Sequence, residues 1–370
     1  MKKRIARLCA IVLAGAMVFG LAACGSSDSS SGSDDASAAT EESTDESSSS
    51  GVSSYGATTA TQEWSIGLVI KTATNAHFQD IAYGAQQAAQ DFGAQIEILN
   101  TTTESDVEGQ VSMCEDLIAS GVDALILTPN DSKGVSGAVE EAHDAGVVFV
   151  GVDTEIENVW DDDYYDYVPS YIGVDHVAMA KSLAEDVAEE LGGEGKVVII
   201  RGVDAASSSI DRTAGLKEGL AEYDGIEIVA EQAGDYDTET AQTKVSNILQ
   251  SNPDVDAILC CNDLMAIGAV NALTDLGYEV GGEEGVIVTG IDGNIVALQS
   301  IADGEMYATA YDWSYLQGYW AVFNAIEMLE GEQAAEFTYS PDTLITAENV
   351  NSYLPHGEEL ADWTIGDTIE

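Results

Sequence analysis

The chain has 370 residues, enough for about two domains of 100–200 residues each, and 45% of them are apolar, with six Phe, five Trp and 15 Tyr to fill large cores. Its 12 Lys and Arg against 66 Asp and Glu give a net charge of −54. That balance excludes unaided binding to nucleic acid, which rests on cations neutralising phosphates, and disfavours flat contact with anionic lipid; it suits an exposed, self-repelling, soluble body.

Residues 1–8 carry four positive charges (Lys2, Lys3, Arg4 and Arg7), and residues 9–23 are apolar and uncharged. This is the n-region and h-region of a secretory signal peptide, since fifteen apolar residues are short of the about 20 that a spanning helix takes. The segment closes on LAACG at 21–25, which resembles a bacterial lipobox. The resemblance implies lipidation of Cys24 and contact with a bilayer through that residue only; an ordinary secretory signal with an incidental Cys is the plainer alternative. Residues 25–63 follow with 14 Ser, eight Asp or Glu, no Lys or Arg, and no apolar periodicity before Trp64. Such a segment cannot bury enough surface to offset chain entropy, so a disordered, solvated tether is expected there.

From Trp64 short apolar runs alternate with amphipathic stretches. The predicted strands and helices are, in order, strand Ser65–Ile70, helix Phe78–Phe92, strand Gln95–Asn100, helix Val107–Ala119, strand Ala124–Thr128, helix Val135–Ala145 and strand Val147–Val152. The pattern restarts with strand Tyr171–Val174, helix Val177–Leu191, strand Lys196–Arg201, helix Arg212–Tyr223, strand Ile226–Glu231, helix Thr240–Leu249 and strand Ala257–Cys261. Helix Met265–Leu276, strand Val286–Ile291, helix Ile295–Ala302, strand Tyr307–Tyr311 and helix Ser314–Leu329 complete it. Continuous β-branched runs between helices mean parallel sheets covered on both faces. Two such series imply an α/β protein of two doubly wound lobes, with a ligand cleft between them outside the carboxyl ends of the strands. Cys114, Cys260 and Cys261 lack paired spacing, so buried free thiols are expected rather than a zinc site; a vicinal Cys260–Cys261 disulfide is the alternative.

Polar residues gather where those strands end: Lys71, Asn75 and His77 before Phe78; Asp153 with Thr154; Asp211 with Arg212; Tyr236; Asn262 with Asp263; Asp292; and Asp312. On the stretches IGLVIKTATNAHF (66–78), CNDLMAIG (261–268) and GIDG (290–293), together with the lipobox-like start, the chain resembles the substrate-binding proteins of bacterial sugar ABC transporters, of the type I periplasmic-binding fold and close to the ribose- and allose-binding branch. The resemblance spans about residues 64–350. It implies an N-terminal lobe of 64–174 plus 313–341, a C-terminal lobe of 175–312 plus 342–354, and three hinge crossings near 174–176, 311–313 and 341–343; residues 355–370 lie past it and read as an acidic tail. It also implies that Lys71, Asn75, Phe78 and Asp153 contact a sugar from the first lobe, and Arg212, Tyr236, Asn262, Asp292 and Asp312 from the second lobe and hinge. His77 and Thr154 are departures: His77 replaces an aromatic residue and Thr154 replaces the Arg of ribose-type members. Both are retained as ligand-binding candidates.

The residue chemistry agrees. Ionised Asp accepts from sugar hydroxyls, Arg, Lys and Asn donate to them, and aromatic faces at Phe78 and Tyr236 pack on ring C–H faces. Structural roles compete: Asp292 as a turn residue, Asn262–Asp263 as a helix cap, Arg212 in a surface ion pair, His77 as a cap. Asp153, Asp292 and Asp312 against Lys71 and Arg212 leave a balance of −1, which favours a neutral sugar or polyol, admits an amino sugar, and disfavours a uronate. The acidic aromatic insertion Glu155–Pro169 reads as a solvated rim loop. The expected mechanism is ligand-driven hinge closure followed by docking of a monomer on membrane permease subunits, with no cofactor, metal or catalytic residue. No GxSxG, HExxH or Walker A motif occurs. A quorum-signal or nucleoside binder, or a sensory receptor feeding chemotaxis or kinase signalling, are the alternatives.

Overall fold

A computed structural model describes residues 60–281 and 285–365. The signal segment 1–23, Cys24 and the Ser-rich stretch up to residue 59 lie outside the described residues.

The first half of the chain runs β1 (Ser65–Thr72), α1 (Ala76–Phe92), β2 (Gln95–Thr101), α2 (Val107–Ser120), β3 (Ala124–Leu127), α3 (Ser136–Ala145), β4 (Val148–Val152), a short helix α4 (Tyr164–Tyr167) and β5 (Ser170–Gly173). The second half runs α5 (His176–Glu190), β6 (Glu194–Arg201), α6 (Ser207–Leu220), β7 (Gly225–Ala233), α7 (Thr238–Ser251), β8 (Ala257–Cys260), α8 (Asp263–Asp275), β9 (Ile287–Ile291), α9 (Ile295–Ala302) and β10 (Ala308–Tyr311). The chain then returns through α10 (Ser314–Leu329) and β11 (Phe337–Tyr339), and crosses once more to β12 (Thr343–Thr346) and α11 (Leu354–Asp362). Two six-stranded sheets result, in the orders β11-β5-β4-β3-β1-β2 and β12-β10-β9-β8-β6-β7. Every pairing between these strands is parallel except β10–β12. The two doubly wound lobes are therefore present, and the chain passes between them after Gly173, after Tyr311 and after Tyr339.

Burial explains the strand runs. All residues of β3, β5, β8, β9 and β10 are buried, as continuous apolar strands covered on both faces must be. Helix starts are set by side-chain caps: Asn75 accepts from His77 N, Asp106 from Gly109 N, Asp175 from Ala178 N, Asp237 from Thr240 N and Asn262 from Met265 N. Helices α1 and α10 cover one face of the first sheet and touch backbone to backbone. A Cβ on Gly84 would lie 2.0 Å from the Tyr315 carbonyl oxygen, and one on Gly318 would lie 1.9 Å from that of Ile81, so only glycine fits at either crossing point.

Three features depart from the sequence pattern. Helix α6 starts at Ser207 rather than Arg212, because a run of three serines hides the first turn, which Ser132 Oγ caps from the other lobe by accepting from Ser207 N at 3.0 Å. Strands β11 and β12 are edge strands of three and four residues, too short to show a period. Residues 354–362 form α11, whose Leu360, with Trp363 just beyond it, is buried among Ile81, Phe92 and the α10 side chains. Cys114, Cys260 and Cys261 are buried free thiols, the reading favoured for them, and burial pushes each thiol upward in pKa.

Candidate functional site

The residues of the cleft stand at or just past the carboxyl ends of parallel strands of the two sheets. Lys71 stands at the end of β1 and is 2% exposed. Its ammonium lies between two rings, 5.4 Å from the centroid of Phe78 and 5.6 Å from that of Tyr236, and 4.0 Å from Asp153 Oδ2. Asp153, just past β4, holds a left-handed backbone at φ 65°, as do Tyr236 at φ 60° past β7 and Asp292 at φ 124° past β9. Three of the six described non-glycine residues with positive φ are thus cleft residues, which is backbone strain concentrated at one place.

The structure brings nine of the eleven predicted residues around one closed-down cavity of about 10 Å³: Lys71, Asn75, His77, Phe78, Asp153, Arg212, Tyr236, Asn262 and Asp292. That is room for about one water, far below the roughly 300–1,000 Å³ of small-molecule sites, so a ring-sized ligand enters only as the lobes open. The other two stand just behind the wall. Thr154 donates to Asp153 Oδ2 at 2.7 Å, and Asp312 lies 3.5 Å from His77 Nδ1 and 3.6 Å from Arg212 Nη2. Two further lining residues, Glu104 and Ser208, carry no sequence signal beyond being polar residues next to an element boundary.

The polar groups are matched mostly within each lobe. Arg212 Nη1 donates to Asp292 Oδ1 at 3.1 Å and to the Cys261 carbonyl at 2.9 Å. Its Nε donates to His176 Nδ1 at 3.2 Å, which fixes the proton of His176 on Nε2, 2.9 Å from the Asp153 carbonyl oxygen. Burial and the neighbouring Arg212 guanidinium bring His176 down to about 3, so it is a neutral spacer that aims Arg212. His77 is the opposite case. Burial works against its charge, but Asp312, Asp292 and Asp153 outweigh that and hold its pKa up at about 10; Nε2 lies 2.9 Å from Asp153 Oδ1. Asp153 is correspondingly held well below the carboxylate range: burial opposes the shift, but His77, Lys71 and Arg212 outweigh it. Burial raises Asp312 to about 6 despite His77 and Arg212.

From the first lobe Asn75 Nδ2 faces Asp292 Oδ2 at 3.4 Å, and Asn294 Nδ2 of the second lobe donates to Asn75 Oδ1 at 3.0 Å. The lobes are therefore closed on each other. At this site four buried polar atoms nonetheless lack a hydrogen-bond partner: His77 Nδ1, Asn262 Nδ2 and both oxygens of Asp312. Buried polar groups are rarely left so, and His77 and Asn262 line the cavity. His77, Asp153 and Asp312 also offer one atom each within 4.8 Å of one another. Lys71 and Arg212 already stand against the same carboxylates, and this set is read as an ion-pair network.

The insertion 155–169 lies beside this cavity. Trp160 stacks on Tyr167 with centroids 4.8 Å apart and donates through Nε1 to Glu140, so its ring packs on α3 and not on the cavity. No described helix is long and apolar enough to cross a membrane.

A cleft of buried donors and acceptors between two hinged α/β lobes defines a solute-binding protein, not a catalyst. Residues 66–333 match the sequence profile described as periplasmic binding protein domain, and the chain belongs to that family. It is 32% identical over 285 residues to the ribose import binding protein of Bacillus subtilis, covering 77% of this chain and 88% of that one. Among solved structures it is similar to a periplasmic solute binding protein of an ABC transporter from Actinobacillus succinogenes with bound D-allose (29% identity, TM-score 0.73, 79% of this chain and 100% of that). It is likewise similar to an ABC transporter solute binding protein from Bacillus halodurans with bound myo-inositol (27% identity, TM-score 0.70, 79% and 98%).

Proposed function

We propose that this chain is the extracytoplasmic receptor of an ABC importer, held to a membrane by a lipidated Cys24, and that it captures a monosaccharide or cyclic polyol, neutral or amine-bearing, by hinge closure. The closed form is then the one that docks on the permease subunits. The observation that carries the reading is the cavity itself: fixed donors from Lys71, Asn75, Arg212 and Asn262 alternate with acceptors from Asp153 and Asp292, with Phe78 and Tyr236 as the ring faces. A hydroxyl both donates and accepts, so a ring bearing several of them satisfies such a wall. The names of the relatives, which bind ribose, allose and myo-inositol, support the same class.

A thermal-shift screen of the full chain against pentoses, hexoses, inositols, nucleosides and uronates tests it. A ligand that binds only the folded state stabilises it by about 2.7 kcal/mol at a hundredfold excess over Kd. The expected result is a clear rise in Tm with one hydroxylated ring, lost in Asp292→Ala and Arg212→Ala. A rise with a nucleoside or a uronate alone overturns the sugar reading.

A further inference from the structure

The buried charges of the cleft do not sum to zero, and the structure shows where the surplus lies. Arg212 faces Asp292 at 3.1 Å and Asp312 at 3.6 Å. Lys71 faces Asp153 at 4.0 Å, and His77 faces Asp153 at 2.9 Å and Asp312 at 3.5 Å. Three cations and three aspartates are thus matched. A fourth carboxylate, Glu104, enters the cavity from the loop between β2 and α2, is 8% exposed, and among the described residues has no ion-pair partner. Its one hydrogen bond is from Asn75 Nδ2 to Oε1 at 3.3 Å. An unmatched carboxylate is costly to bury, whereas the same group opposite a cation supplied by a ligand is not.

We infer that the ligand is a hydroxyl-rich ring bearing a protonated amine, and that Glu104 is the counter-ion of that amine. This rests on the solute-receptor reading above and narrows it. The unbonded Asn262 Nδ2 and His77 Nδ1, both buried and both on the cavity wall, are donors and serve the hydroxyl oxygens of the ring. They cannot serve an ammonium, which donates only. Glu104 can, with the face of its carboxylate that Asn75 leaves open. Burial is the largest influence on Glu104 and carries its pKa up to about 7, partly offset by Lys71 and Asn75 and reinforced by Asp292 and Asp153. The direction is that of a carboxylate lacking a counter-charge.

The test is calorimetric titration of the full chain with matched pairs: D-glucose and D-glucosamine, D-galactose and D-galactosamine, D-mannose and D-mannosamine, myo-inositol and its amino-deoxy analogue scyllo-inosamine. The expected result is that the tightest ligand is an amine, binding at least about tenfold more tightly than its hydroxyl counterpart, and that Glu104→Gln brings that ratio close to one. If Glu104→Gln does not fold, the wild-type ratio decides alone. Hydroxyl rings that bind at least as tightly as their amine counterparts in every pair overturn the inference and leave the solute-receptor reading standing, as does an amine preference that survives in Glu104→Gln. No binding by any ring of either kind overturns both.

Discussion

With Asp153 Oδ1 2.9 Å from its Nε2 and Asp312 Oδ1 3.5 Å from its Nδ1, His77 is an imidazolium at neutral pH. Its pKa is about 10 in the folded chain against 6.5 as a free side chain. The sign follows: a raised folded pKa contributes stability that is complete below about 6.5 and is lost as pH rises through about 10. Removing the cation leaves Asp153 and Asp312 buried with less counter-charge, a change that costs about 3–5 kcal/mol when a buried pair is broken. His77→Gln should therefore lower the urea midpoint at pH 7, and the gap from wild type should narrow between pH 7 and pH 10. A gap that stays constant over that range would mean a neutral ring. None of this was visible in the residue types. The sequence placed Asp153, Asp292 and Asp312 at strand ends, and the strand ends do meet. It weighed His77 as a cap as readily as a ligand residue, because the carboxylates that charge it come from three different loops. Glu104 was missed for a related reason: it sits in a run of threonines and acids, and only the fold of β2 turns that run inward. The left-handed backbones of Asp153, Tyr236 and Asp292 leave no mark in composition at all.

At the scale of elements, apolar runs of five residues or more located the long sheet strands, and helical spacing located the helices that cover them, α10 included. What escaped was whatever earns its order from contacts distant in sequence. Helix α11 is the main case. Its residues 354–362 are acidic, carry a proline in the first turn and span only nine residues, and they hold because Leu360 and Trp363 enter the first lobe's core while His356 Nε2 meets Asp80 Oδ1 at 2.8 Å. Asp80 is itself bound through its other oxygen to Tyr311 OH at 3.0 Å, Ser314 Oγ at 2.6 Å and Tyr315 N at 3.0 Å, so one α1 carboxylate ties together α1, the second hinge crossing and α11. On the other side Gly357 packs against Ile295 of α9, in the second lobe. The helix is thus a brace across the two lobes. Leu360→Ala should cost about 2–5 kcal/mol, the range for truncating a buried leucine, in a urea denaturation of the full chain. A loss under about 0.5 kcal/mol would show that α11 adds nothing to the fold and that the segment is an appendage.

At the scale of the whole molecule, affinity depends on how much of the population is already closed. A receptor whose closed form is a minor state binds with a Kd raised by the inverse of that fraction. The interlobe bond from Asn294 Nδ2 to Asn75 Oδ1, at 3.0 Å, exists only when the lobes are together, and Asn294 does not line the cavity. Deleting it removes a closed-state interaction, together with a weak 3.5 Å bond from Asn294 Nδ2 to Asp292 Oδ2 of the cavity wall. A hydrogen bond of this kind is worth about 0.5–1.5 kcal/mol net, so Asn294→Ala should raise Kd by about two- to tenfold. Small-angle scattering separates the cause: the unliganded variant should have a larger radius of gyration than unliganded wild type, and the two should coincide once saturated with ligand. An unchanged Kd with unchanged scattering would show that closure is governed by the buried ions of Arg212, His77 and the three aspartates. In that case the empty cleft is held shut by the same groups that receive the ligand, and the ligand must compete with them to enter.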